Sequence, residues 1–180
     1  MRIVLLGGNS PTNISWLEGI EAELKKEYGD VFSHRYIHWD TNAPLINLDK
    51  ELENLQKELK NAEQYVIVAK SAGALLTLKG VRERKLAPAA CVFMGTAILW
   101  GREKGFDVDV WLKGYSVPTL FVHKSGDPAI APSALEVLLK ESGSQNYKLH
   151  VITGNEHEYS EYQTLTQVIH SFLQERKLAS

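Results

Sequence analysis

The chain has 180 residues, 44% hydrophobic and 23% charged, a length that suits one domain with a sizeable core and is too short for two ordinary ones. This composition excludes a disordered, collagenous or low-complexity chain. Twenty basic residues against 22 acidic ones, a net charge of -2, leave no field of one sign to draw in nucleic acid or an anionic bilayer, so neither is an expected partner.

In chain order, the first apolar run, residues 2–6, stops at Gly7-Gly8. It is too short for a signal peptide, and no later stretch approaches ~18 apolar residues, which makes the cytoplasm the expected compartment. Asn13 is placed to cap a helix carrying Trp16, Leu17, Ile20 and Leu24. Residues 31–39 alternate, with His34, Tyr36 and His38 on one face, as a sheet-edge strand does. Leu48, Leu52, Leu55 and Leu59 share one face of the next helix. Residues 65–69 and 119–123 are strands without clean alternation, the mark of burial on both faces. Between them, residues 89–94 hold the one cysteine, Cys91, in an apolar run, so it reads as core and neither a disulfide nor a Cys-based metal site is available. Pro132 fits the first turn of a helix with Leu135, Leu138 and Leu139. Residues 147–152 form a sixth strand, and Ser160-Glu161-Tyr162-Gln163 reads as a capping box opening the last helix. Strands alternating with amphipathic helices predict a single three-layer α/β/α domain over residues 1–180 with a mainly parallel six-stranded sheet.

In an open α/β sheet, ligands bind at the carboxyl ends of strands. After the third strand stands Ala69-Lys70-Ser71-Ala72-Gly73, a serine between small residues where a sharp strand-to-helix turn would lift its hydroxyl clear of the sheet. Asp127 follows the fifth strand and His157 the sixth. The chain order Ser, Asp, His, each at its own strand end, is the order such a nucleophile elbow predicts. Taken singly, Asp127 reads as a turn residue and His157 as a loop histidine; their joint placement favours chemistry. Lys70 is expected to point away from the site. His123 is the rival base, expected to pack or to brace the Asp127 loop, and Asp107 and Asp109 are the next candidate acids.

At these residues the chain resembles the α/β-hydrolase superfamily over nearly its whole length, and it is most similar to the small members without a large inserted lid. The resemblance implies an oxyanion loop after the first strand, Gly7-Gly8-Asn9-Ser10. Two departures are Ala69 in place of glycine and the absence of the His-Gly pair often seen in that loop. The implied mechanism is attack by Ser71, with His157 as base, Asp127 as orienting acid, and the backbone N–H groups of Ala72 and of Asn9 or Gly8 holding the oxyanion. No cofactor and no metal enter it. Ser10, Trp16, Trp100, Phe106 and Trp111 are candidate pocket residues, the aromatic ones equally able to pack on the sheet. A small, soluble carboxylic ester or thioester is the expected substrate.

Two other classes compete. A non-catalytic protein-binding module could keep the fold, although a scaffold has no need of all three of Ser71, Asp127 and His157. A nucleotide-binding protein would use Gly7-Gly8-Asn9-Ser10, which lacks the third glycine of Gly-x-Gly-x-x-Gly and the Lys-Ser/Thr of a P-loop. His34 and His38, about 13 Å apart if both lie on one strand, are too distant to share a metal ion. Glu156 and Glu158 beside His157 read as solvated.

Overall fold

The computed structural model describes residues 1–41 and 43–179. Its centre is a six-stranded, all-parallel sheet of β1 (Arg2–Leu6), β2 (Val31–His34), β3 (Tyr65–Lys70), β4 (Ala90–Met94), β5 (Thr119–Lys124) and β6 (Tyr147–Ile152), ordered β2-β1-β3-β4-β5-β6. Every residue of β3, β4 and β5 is buried, as apolar runs covered by helices on both faces require. Cys91 lies in this core, where burial pushes its thiol up to about 12 and leaves it inert.

Among the described residues seven α-helices cover the sheet: α1 (Asn13–Leu24), α2 (Leu48–Leu59), α3 (Ala72–Arg82), α4 (Ile98–Glu103), α5 (Val108–Leu112), α6 (Pro132–Glu141) and α7 (Tyr162–Glu175). α1 packs on α7, while α2, α4 and α5 gather around α3. These are the two outer layers that right-handed crossovers impose on a strand order that reverses at β1. β1 and β3 lie side by side while the chain leaves them for opposite faces, so a crevice opens beyond their carboxyl ends.

The structure corrects the sequence reading at several termini. The second strand ends at His34, not residue 39, and the chain turns into a 3₁₀ helix, Ile37–Asp40. The cause is tertiary: the buried Glu51 carboxylate of α2 accepts the Ile37 and His38 N–H groups, each at 3.0 Å. The turn brings both His34 and His38 against the Tyr36 ring, with centroids 5.4 and 5.5 Å away, instead of spacing them along a strand. β2 is an edge strand as expected. Thr12 rather than Asn13 occupies the N-cap position of α1, and Glu161 rather than Ser160 that of α7, neither making a side-chain cap bond. Pro132 is the first residue of α6, where its missing N–H costs nothing. Among the described residues no helix is long and apolar enough to cross a membrane.

Candidate active site

β3 delivers Ser71. Its φ of 56° and ψ of −117° place it in a conformation that non-glycine residues rarely adopt, held by an N–H bond to the Met94 carbonyl at 2.9 Å. Strain of this kind costs about 1–3 kcal/mol and persists only where surrounding structure enforces it. It turns the chain from β3 into α3 within one residue and leaves Ser71 at the positive end of that helix. Gly73 makes the turn possible. A methyl group there would lie 2.7 Å from the Gly7 carbonyl oxygen and 2.8 Å from that of Leu6, so α3 starts in contact with the loop after β1. Ala69, in place of the usual glycine, is fully buried inside the sheet.

β5 delivers Asp127 and the loop after β6 delivers His157. Ser71 Oγ lies 3.0 Å from His157 Nε2, and His157 Nδ1 lies 2.9 and 3.1 Å from the two carboxylate oxygens of Asp127. A carboxylate only accepts, so Nδ1 carries the ring proton and Nε2 is the acceptor facing the serine hydroxyl. Burial pushes the Asp127 carboxyl up, yet bonds from His157, the Tyr159 hydroxyl and the Ala129 N–H outweigh it and hold the group below the ordinary range. The sequence reading missed Tyr159. This fully buried ring donates to Asp127 Oδ2 at 2.6 Å and accepts the Lys124 N–H at 3.0 Å.

The histidine loop is fixed from below by Lys124, whose buried ammonium pairs with Glu156 and, at 2.8 Å, with Glu161. Glu156 and Glu158 are therefore ion-pair partners; Glu158 meets Lys70 Nζ at 3.2 Å. Lys70 itself does not point away. It lines the cleft and lies 5.9 Å from the Trp16 ring centroid. Gly95, with φ of 53°, makes room at the end of β4: a methyl group there would sit 2.8 Å from both Asp127 Oδ2 and His157 Cε1. No local motif marks Gly95, because its neighbours arrive from two other strands.

Ser71 and His157 open into a cleft of about 420 Å³. Its lining includes Asn9, Ser10, Asn13 and Lys70 from the β1 loop, α1 and β3, and Ala97, Trp100, Pro128 and Ala129 from the segments after β4 and β5. Ser10 and Trp100 are thus where the sequence reading put them. Trp16, Phe106 and Trp111 are not. Trp16 is buried and donates its indole N–H to the Tyr159 carbonyl at 2.9 Å, whereas Phe106 and Trp111 line a separate groove beside Ile46 and Lys79. Asp107 borders that groove and Asp109 pairs with Arg102, both away from His157. His123 is fully buried, its Nε2 accepting the Thr96 N–H at 3.1 Å, and burial depresses its pKa to about 4. Gly8 is buried against Asn13, and Ala72 is the first residue of α3, where a helix leaves its N–H without an intrahelical partner. Among the described residues no group of three or more His, Cys, Asp or Glu could hold a metal ion.

No protein-family model matches the sequence, and no curated protein matches it. Solved structures do match. Est1E from Butyrivibrio proteoclasticus, a structure with bound ferulic acid, is 16% identical with a TM-score of 0.74, over 97% of this chain and 88% of its own. The α/β hydrolase enzyme MGS-MChE2, from the metagenome of lagoon sediments at Mar Chica, Morocco, is 14% identical with a TM-score of 0.75, over 98% and 92%. The Pyrococcus furiosus esterase Pf2001 is 18% identical with a TM-score of 0.72, over 97% and 82%. At such identities the likeness establishes the fold: this chain has the α/β-hydrolase fold over almost its whole length.

Proposed function

We propose that the protein is a serine hydrolase that cleaves small carboxylic esters or thioesters through an acyl-enzyme on Ser71. The observation that carries the reading is the unbroken chain of contacts from Ser71 Oγ through His157 to Asp127. In this reading His157 Nε2 takes the hydroxyl proton as Oγ bonds to the scissile carbonyl carbon, and Asp127 stabilises the imidazolium. The carbonyl electrons move to an oxyanion facing the N–H groups of Ala72 and of Asn9 or Gly8. Collapse expels the alcohol or thiol, which leaves with the proton from His157, and water repeats the sequence to release the acid.

The esterase and hydrolase names of the structural relatives support this class. Preference for small substrates is read from the cleft, about 420 Å³, into which His157 keeps a third of its side chain exposed. The test is turnover across p-nitrophenyl esters and thioesters of increasing chain length. Wild type is expected to act best on short chains and Ser71→Ala to lose nearly all turnover without loss of fold. Equal rates in the two proteins would transfer the activity to another site, and no turnover in either would favour a binding module.

A further inference from the structure

The 3₁₀ turn that replaces the end of the second strand lies directly behind the loop after β1. The Tyr36 hydroxyl donates to the Gly7 carbonyl at 3.0 Å. The Asn9 carbonyl lies 2.7 Å from His38 Nε2 and receives the Trp39 indole N–H at 3.0 Å. A carbonyl only accepts, so His38 Nε2 carries a proton. Its Nδ1 faces the buried Glu51 carboxylate at 3.4 Å, and that carboxylate also holds the backbone of the turn. The Asn9 side chain is tied on both ends, accepting the Ile46 N–H at 2.8 Å and donating to the Pro44 carbonyl at 3.0 Å.

These bonds pin the Gly7–Gly8 peptide on one side and the Asn9–Ser10 peptide on the other. The peptide between them carries the Asn9 N–H, and holding both neighbours narrows the orientations open to that planar unit. Tyr36, His38 and Trp39 are all buried and none lines the cleft. A loop with two consecutive glycines has wide conformational freedom of its own, so three side-chain donors converging on it from one turn require an explanation beyond packing. From this geometry we infer that Tyr36, His38 and Trp39 are positioning residues. They act through Gly7 and Asn9 to aim the Asn9 N–H at the reacting carbonyl oxygen, in place of the His-Gly pair that the loop lacks. The inference rests on the serine-hydrolase reading above, since it assigns a task within that reaction.

The test uses variants that remove a donor and keep an aromatic ring: Tyr36→Phe, Trp39→Phe and their combination, with His38→Gln, which retains a donor, beside His38→Leu. Each is compared with wild type for kcat and KM on one short ester. Each is also compared for the affinity of a trifluoromethyl ketone, which forms the oxyanion adduct, and of the matching methyl ketone. The combined variant is expected to lose roughly 10- to 100-fold in kcat with KM nearly unchanged, because a displaced donor weakens transition-state binding selectively. Trifluoromethyl ketone affinity should fall by the same factor and methyl ketone affinity should hold. His38→Gln should recover much of what His38→Leu loses. Unchanged kcat in the combined variant, or equal weakening of both ketones, would overturn the assignment. Should the combined variant fail to fold, Trp39→Phe alone carries the same comparison. An inert wild type would instead overturn the hydrolase reading itself.

Discussion

Ser71, His157 and Asp127 each meet a partner whose chemistry settles which atom donates, and Tyr159 adds a further bond that holds the Asp127 carboxylate. Its hydroxyl spans Asp127 Oδ2 and the Lys124 N–H. Tyr159→Phe strands that N–H and removes one bond from the carboxylate, so it should cost about 1–3 kcal/mol in a urea melt, with a clear fall in kcat; unaltered stability would show that the hydroxyl contributes nothing. Asp127→Asn should cut turnover by roughly 10⁴-fold, since an amide can hold the wrong tautomer of His157, and a loss under tenfold in steady-state rates would remove Asp127 from the role of orienting acid. Ser71, Asp127 and His157 were legible in the sequence because each follows an apolar strand with a turn signal beside it. Tyr159, the Lys70–Glu158 pair and the brace residues were not, because their partners lie dozens of residues away in sequence and nothing local encodes the encounter.

At the scale of elements, small residues set how closely the strand ends and helix starts approach. Gly95→Ala places a methyl group against Asp127 and His157 as well as forcing a positive φ. Gly105→Ala forces the same backbone change, at φ of 76°, with nothing within 4 Å. Gly105→Ala should lose roughly 1–2 kcal/mol of stability and Gly95→Ala more, because the clash adds to the backbone cost, and turnover should fall at least several-fold in Gly95→Ala alone; equal activity of the two would show that the space at Gly95 is immaterial. The six strands and the alternation with helices could be read from periodicity, and the edge position of β2 from its polar face. The same alternation led the reading too far, through Tyr36 and His38, because a pattern of period two cannot reveal that Glu51 of a later helix captures two backbone N–H groups and bends the chain.

Across the whole molecule, a buried histidine beside the strand-end cluster sets a stability limit in acid. His123 is buried and neutral with its pKa depressed to about 4, whereas an unfolded histidine titrates near ~6.5. A depressed folded value means that its contribution is complete above pH ~6.5 and is lost as pH falls toward 4. By linkage the loss is about 2 kcal/mol at pH 5 relative to pH 7. Urea titrations at the two pH values should show this difference in wild type and a markedly smaller one in His123→Gln; identical pH dependence would mean that His123 is not held neutral. Sheet order, helix layers and the cleft between diverging strand ends all lead to the same few side chains, which is why the α/β-hydrolase fold and the serine-hydrolase reading support each other.

The most direct test of that reading is covalent labelling with a fluorophosphonate followed by peptide mapping. The account predicts one adduct per chain, on the peptide bearing Ser71, with labelling lost in Ser71→Ala, strongly slowed in His157→Ala and retained to a substantial degree in His123→Ala. Labelling at another residue, or labelling of Ser71 at an undiminished rate without His157, would contradict it.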